Sequence, residues 1–98
     1  MSKNHNYYVY IMASVNRITH IGVTNDLIRR AEEHRQDLTD GFSKKYKCHK
    51  LVYYEYFRNI KDAINRETEI KKWRREKKVE LIEKENLTWQ DLYEEIIR

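Results

Sequence analysis

The stretch YYVYIMASVNRITHIGVTND (7–26) decides how this chain folds. Its first part, YYVYIMA (7–13), is aromatic and β-branched, the composition of a buried strand. Ser14–Arg17 is short and polar, and ITHIGV (18–23) reads as a second strand, so the two predict a hairpin. Alternation along the first strand puts Tyr8 and Tyr10 on one face. Thr24, Asn25 and Asp26 then supply helix caps, with acidic Asp26 well placed against the positive end of a helix dipole.

Working outward, a helix is expected over about residues 26–38, with Leu27, Ala31 and Leu38 marking its buried face. Gly41 breaks it, and GFSKKYKCHK (41–50) reads as a polar, basic loop. LVYYEYF (51–57) is a third strand. From Ile60 the period becomes helical, with Ile60, Ala63, Ile64 and Ile70 on one face. The apolar stripe gives way to a basic one near Arg74–Lys78 and resumes at Val79, Leu81 and Ile82. Thr88, three residues before Asp91, predicts the cap of a terminal helix carrying Trp89, Leu92 and Ile96. The order β-β-α-β-α-α defines an α+β fold, a small three-stranded antiparallel sheet flanked by helices.

Ninety-eight residues give room for one domain and one modest core, here expected over about residues 7–93. No apolar run approaches the roughly 18 residues that span a bilayer, and MSKNHNYYVY lacks the features of a secretory signal. The expected compartment is the cytoplasm. A lone cysteine, Cys48, provides neither an internal disulfide nor a cysteine-rich zinc site. The four histidines (His5, His20, His34, His49) do not show zinc-ligand spacing, and two glycines cannot build a phosphate-binding glycine loop. The net charge of +4 is uneven. Residues 1–78 carry 18 Lys+Arg against 10 Asp+Glu, a net +8, whereas residues 79–98 carry 2 against 6, a net −4. The basic body is the part suited to phosphates.

Glu67 falls near the middle of the apolar arc of its helix, which carries a carboxylate toward the core or a cleft at its edge. A charge in such a place needs a cation, a metal or several donors beside it. Arg66 and Lys71 are the neighbours that would otherwise satisfy it. On the first helix Arg30 and His34 are spaced i, i+4 and can converge on one point. A permanent cation beside a titratable imidazole suits phosphodiester chemistry; an arginine that snorkels and a histidine that satisfies a carbonyl is the competing reading. Tyr46, set among Lys44, Lys45 and Lys47, is a candidate for stacking on a base or touching phosphate, and Arg74 and Arg75 extend the basic footprint.

These pieces together resemble the GIY-YIG nuclease superfamily, in particular its compact stand-alone branch of small bacterial proteins, which looks like the N-terminal domain of the excision-repair nuclease. Tyr8-Val9-Tyr10 corresponds to the first motif and His20-Ile21-Gly22 to the second. GVTNDLIRRAEEH (22–34) matches the helix whose arginine stands eight residues after the motif glycine, which is Arg30 here. His34, GFSKKYK, LVYYEYF, AINRETEIKKWRREKK and NLTWQDL continue the likeness. Glu67 falls on the metal-binding glutamate and Asn86 on a late asparagine. The resemblance implies a divalent-metal endonuclease acting on DNA in branched, single-stranded or damaged form, with Mg²⁺ or Mn²⁺ held by Glu67. It implies a catalytic group of Tyr10 (general base), Arg30 (phosphate-binding cation) and Glu67, joined by His34 and His20, with Tyr8, Gly22 and Asn86 in support. One departure stands out: the tyrosine of the second motif is His20. A catalytically silent module that keeps the fold and binds nucleic acid or protein is therefore the alternative.

Overall fold

The computed structural model describes residues 6–39 and 41–98, so His5 lies outside the described residues. Strand β1 (Tyr7–Ala13) occupies the centre of a three-stranded antiparallel sheet, between β2 (Thr19–Thr24) and β3 (Lys50–Phe57). The hairpin turn closes where Ser14 Oγ accepts from the Ile18 amide and Ser14 O from that of Arg17. Helix α1 (Leu27–Arg35) starts at Asp26, whose carboxylate accepts from the Arg29 amide at 3.1 Å. Helix α3 (Ile60–Lys72) is capped likewise by Asn59.

Strand alternation sorts the core into two layers. Val9, Ile11, Ala13 and Ile21 face α3 and α4 (Arg75–Glu83), meeting Ala63, Ile70, Ile82 and Trp89. Tyr10 and Met12 face the other way, with Leu27 of α1, Cys48, Leu51 and the short helix α5 (Tyr93–Ile96). The sheet is thus covered on both faces, as the α+β reading expects.

Four local expectations are corrected. The loop after Gly41 contains a one-turn helix, α2 (Phe42–Lys45), entered through Gly41 at φ +83, and α1 ends at Arg35 rather than Leu38. Leu38 is 67% exposed, and the buried stripe of α1 is Leu27, Ala31 and His34 instead. On α3 only Ala63 and Ile70 are buried; Ile60 and Ile64 lie on its outer flank. Thr88 caps nothing: Trp89 sits in a turn with φ 57, and α5 begins only at Tyr93.

The chain also departs from strict alternation in β3. Ile11 pairs with Tyr53 but Met12 with Leu51, which leaves Val52 as a bulge residue. The buried Asn86 side chain donates to the Val52 carbonyl at 3.0 Å and to Gln90 O at 2.9 Å, while its own oxygen accepts from the Gln90 amide. Asn86 therefore fastens the turn that carries Trp89 onto the bulge.

Candidate active site

Tyr10 and Gly22 are cross-strand partners, and the phenol ring lies directly over the glycine. A Cβ at residue 22 would stand 2.4 Å from Tyr10 Oη and 2.6 Å from Cζ, so any other residue would push the phenol aside. Lying across β2, the ring carries its hydroxyl to α1, where it meets His34 Nε2 at 3.0 Å. His20 is on the same face, its ring 5.0 Å from that of His34 and 6.2 Å from that of Tyr10. Arg30, one turn before His34, completes a cleft of about 420 Å³ that also contacts Glu33, Leu38, Thr39 and Ser43.

Arg30 pairs with Glu33 (Nη1–Oε1 3.2 Å), but its Nε is buried with no hydrogen-bond partner among the described residues. An unmet buried N–H of this kind is costly, and a guanidinium released from Glu33 and turned into the cleft would meet a phosphoryl oxygen there. His34 is bonded at both nitrogens: Nδ1 stands 2.6 Å from Ser43 Oγ and 3.3 Å from Thr39 Oγ1. Ser43 went unnoticed in the sequence because nothing distinguishes a serine in a polar, basic stretch.

Glu67 remains on the inward stripe of α3 between Ala63 and Ile70, its side chain 20% exposed, and pairs with Lys71 at 3.3 Å. Arg66 turns away to Glu55 and Glu69. Helix α3 packs beneath β1 and β2, and the Glu67 charge is felt by both Tyr10 and His20. Burial pushes the Tyr10 phenol up to about 12; Arg30 opposes that rise, and Glu67 and Glu33 add to it. His20 is lowered, first by burial and then by Lys71 and Arg30, with Glu67 opposing. His34 falls to about 4, through burial, then His20, Arg30 and His49.

The His34 shift has a measurable consequence. An unfolded chain binds a proton at this imidazole below about pH 6.5 that the folded chain refuses until about pH 4. Its contribution is complete above pH 6.5 and is lost as pH falls, by about 2 kcal/mol at pH 5. Urea titrations at pH 7 and pH 5 should show this loss, and His34→Gln should shrink it.

The basic loop flanks the cleft through Ser43: Lys44, Lys45, Tyr46 and Lys47 are exposed, and the Tyr46 ring lies 4.7 Å from that of Phe42. Arg75 is elsewhere, over the Trp89 ring at 5.6 Å, and neither it nor the exposed Arg74 contacts the cleft. Tyr8 packs edge-on against Tyr54 and Tyr56 in a separate depression, and Asn86 stays at the β3 bulge. Among the described residues no three His, Cys, Asp or Glu side chains converge on a metal position. The donor set fits a hard divalent cation even so. Such an ion takes one carboxylate and completes its shell with water and phosphate, and the exposed Lys71 tail can leave Glu67 free.

A sheet of this order, with a tyrosine, an arginine and a histidine gathered over a glycine, has counterparts among known proteins. The model of the GIY-YIG catalytic domain matches residues 6–80, and the chain belongs to that family, whose nucleases generally use divalent metals. More particularly, it is similar to the UPF0213 protein CPE1444 of Clostridium perfringens, 33% identical over 89 residues covering 91% of this chain and 96% of that one. The UPF0213 protein HQ_3675A of Haloquadratum walsbyi is 35% identical over 80 residues, covering 82% and 90%. Among solved structures, the solution NMR structure of the UPF0213 protein BH0048 from Bacillus halodurans superposes with a TM-score of 0.57 at 26% identity, covering 88% of this chain and 92% of that one. No helix among the described residues is long and apolar enough to cross a membrane.

Proposed function

We propose that this protein is a divalent-metal-dependent endonuclease that hydrolyses phosphodiester bonds in DNA, with branched, single-stranded or damaged structures as its substrates and a role in repair. The observation that carries this reading is the unmet, buried Nε of Arg30 in a cleft shared with Tyr10, His20 and His34. Arg30 exchanges Glu33 for phosphoryl oxygens and stabilises the charge that grows on them during attack. Tyr10 Oη is the proton acceptor for the attacking water; burial disfavours its ionisation, and the Arg30 charge, joined by that of a bound cation, would offset this. His34 fixes the phenol against α1, and Gly22 leaves room for it. Glu67 would hold Mg²⁺ or Mn²⁺, which when bound polarises the scissile phosphate and neutralises the leaving oxygen.

Supercoiled, single-stranded, branched and base-damaged DNA, with RNA alongside, incubated with Mg²⁺, with Mn²⁺ and with chelator, test this directly. Metal-dependent cutting of DNA is expected. His20 in the place of the motif tyrosine favours one other reading, a module that binds nucleic acid without cutting. Salt-sensitive binding with no cleavage on any substrate would establish it. In either case Lys44, Lys45 and Lys47 supply backbone contacts. Replacing each by alanine is expected to weaken binding on all sequences and to reduce the slope of log K against log salt by roughly one per lysine. Fluorescence anisotropy across a salt series measures that slope.

A further inference from the structure

Ser43 is 2% exposed although the other three residues of α2 face solvent. Its hydroxyl has one hydrogen-bond partner among the described residues, His34 Nδ1 at 2.6 Å. The opposite nitrogen of that ring, Nε2, meets Tyr10 Oη at 3.0 Å. A neutral imidazole carries a hydrogen on one nitrogen and a lone pair on the other, so two arrangements of this buried chain are available. In the first, the phenol donates to Nε2 and Nδ1–H donates to Ser43 Oγ. The serine hydrogen then has no acceptor among the described residues and turns into the cleft, which Ser43 also lines. In the second, Ser43 donates to Nδ1 and Nε2–H donates to Tyr10 Oη. The phenol hydrogen, rather than the serine hydrogen, then turns into the cleft that Tyr10 helps to form. The lengths select the second arrangement: the 2.6 Å contact to Nδ1 is that of a hydroxyl donor, and the 3.0 Å contact from Nε2 is that of an N–H donor. Thr39 Oγ1, 3.3 Å from Nδ1, brings another hydroxyl to the side where an acceptor is wanted.

We propose that Ser43 is a positioning residue that holds His34 in the Nε2–H tautomer and so makes the imidazole a hydrogen-bond donor to Tyr10 Oη. The inference deepens the nuclease reading and rests on it for the role of Tyr10. A fixed N–H aimed at Oη stabilises the phenolate more than the phenol, which is what a buried tyrosine acting as a proton acceptor requires. Ser43 is followed directly by Lys44 and Lys45, so the loop proposed to meet phosphate also sets the donor behind the phenol.

Long-range ¹⁵N correlation spectra of the imidazoles, taken on the full chain at pH 7 without DNA or metal, read the tautomer. His34 is assigned by the signal missing from His34→Gln. A pyrrole-type Nε2 and a pyridine-type Nδ1 are expected, with the pattern moved toward a tautomer mixture in Ser43→Ala and kept in Ser43→Thr. In turnover, Ser43→Ala should lower kcat by roughly 10- to 100-fold with KM for DNA unchanged, and Ser43→Thr should restore it. An Nδ1–H tautomer in the wild-type chain overturns the inference, as does a Ser43→Ala variant with wild-type kcat. A wild-type chain with the expected tautomer that cuts no DNA supports the tautomer assignment and counts against the nuclease reading.

Discussion

Glu67→Gln is expected to lower metal-dependent cleavage by at least about 10²-fold, and Arg30→Ala by about 10²- to 10³-fold, with the fold of both intact. Glutamine keeps the size and shape of Glu67 on a helix whose packing is carried by Ala63 and Ile70, so lost turnover cannot be ascribed to lost structure. What it removes is the negative charge that a cation needs. The Arg30 side chain is 36% exposed and its removal opens no core cavity; it removes a buried guanidinium N–H that has no partner among the described residues. Arg30→Lys should recover little, since a single ammonium cannot reproduce a planar fork of donors. Nicking of supercoiled DNA at saturating Mg²⁺, with circular dichroism to confirm folding, measures both. Undiminished cleavage in the two variants would remove the site from consideration.

The largest effect on stability is expected at Trp89. Its side chain is fully buried, its indole N–H donates to Glu83 at 2.7 Å, and Arg17 and Arg75 lie over its ring at 5.1 and 5.6 Å. Trp89→Ala leaves a void beneath the sheet and strands the turn held by Asn86, for a loss of about 3–5 kcal/mol. That is a large fraction of the stability a small domain possesses. The neighbouring Thr88→Ala should stay within about 0.5 kcal/mol, because that exposed threonine makes no cap. Denaturant unfolding of the two variants side by side separates these outcomes.

Local pattern made the sheet and its two covering helices legible, because residues 7–24 and 50–57 are β-rich, Asp26 sits where a cap is needed and the period turns helical from Ile60. Tertiary context decided the rest. Leu38, Ile60 and Ile64 are apolar by type yet face outward, and His34 takes a place on the buried stripe because Tyr10 and Ser43 satisfy both of its nitrogens. The terminal segment departs from its pattern at Thr88, since a capping pattern in sequence does not reveal that Trp89 must turn inward through a left-handed backbone. Periodicity pointed to Glu67 and the i, i+4 pair to Arg30 and His34. Only the fold could bring Tyr10 and His20 across to the Arg30–His34 pair, with Ser43 and Thr39 behind; Glu67 does not line that cleft. The two basic groups of the sequence likewise separate, the lysine loop beside the cleft and Arg75 against Trp89.

The bulge at Val52 also bears on how this protein behaves at high concentration. Strand β3 has β1 on one side only, and an open strand of this kind invites pairing with another molecule. Here the far side is occupied where the strand enters: Asp91 accepts from the Leu51 amide, the Leu92 amide donates to Leu51 O at 2.7 Å, and Asn86 occupies Val52 O. The acidic tail thus serves as a guard against intermolecular β-assembly, and its removal would expose a template for aggregation as well as a hole in the core.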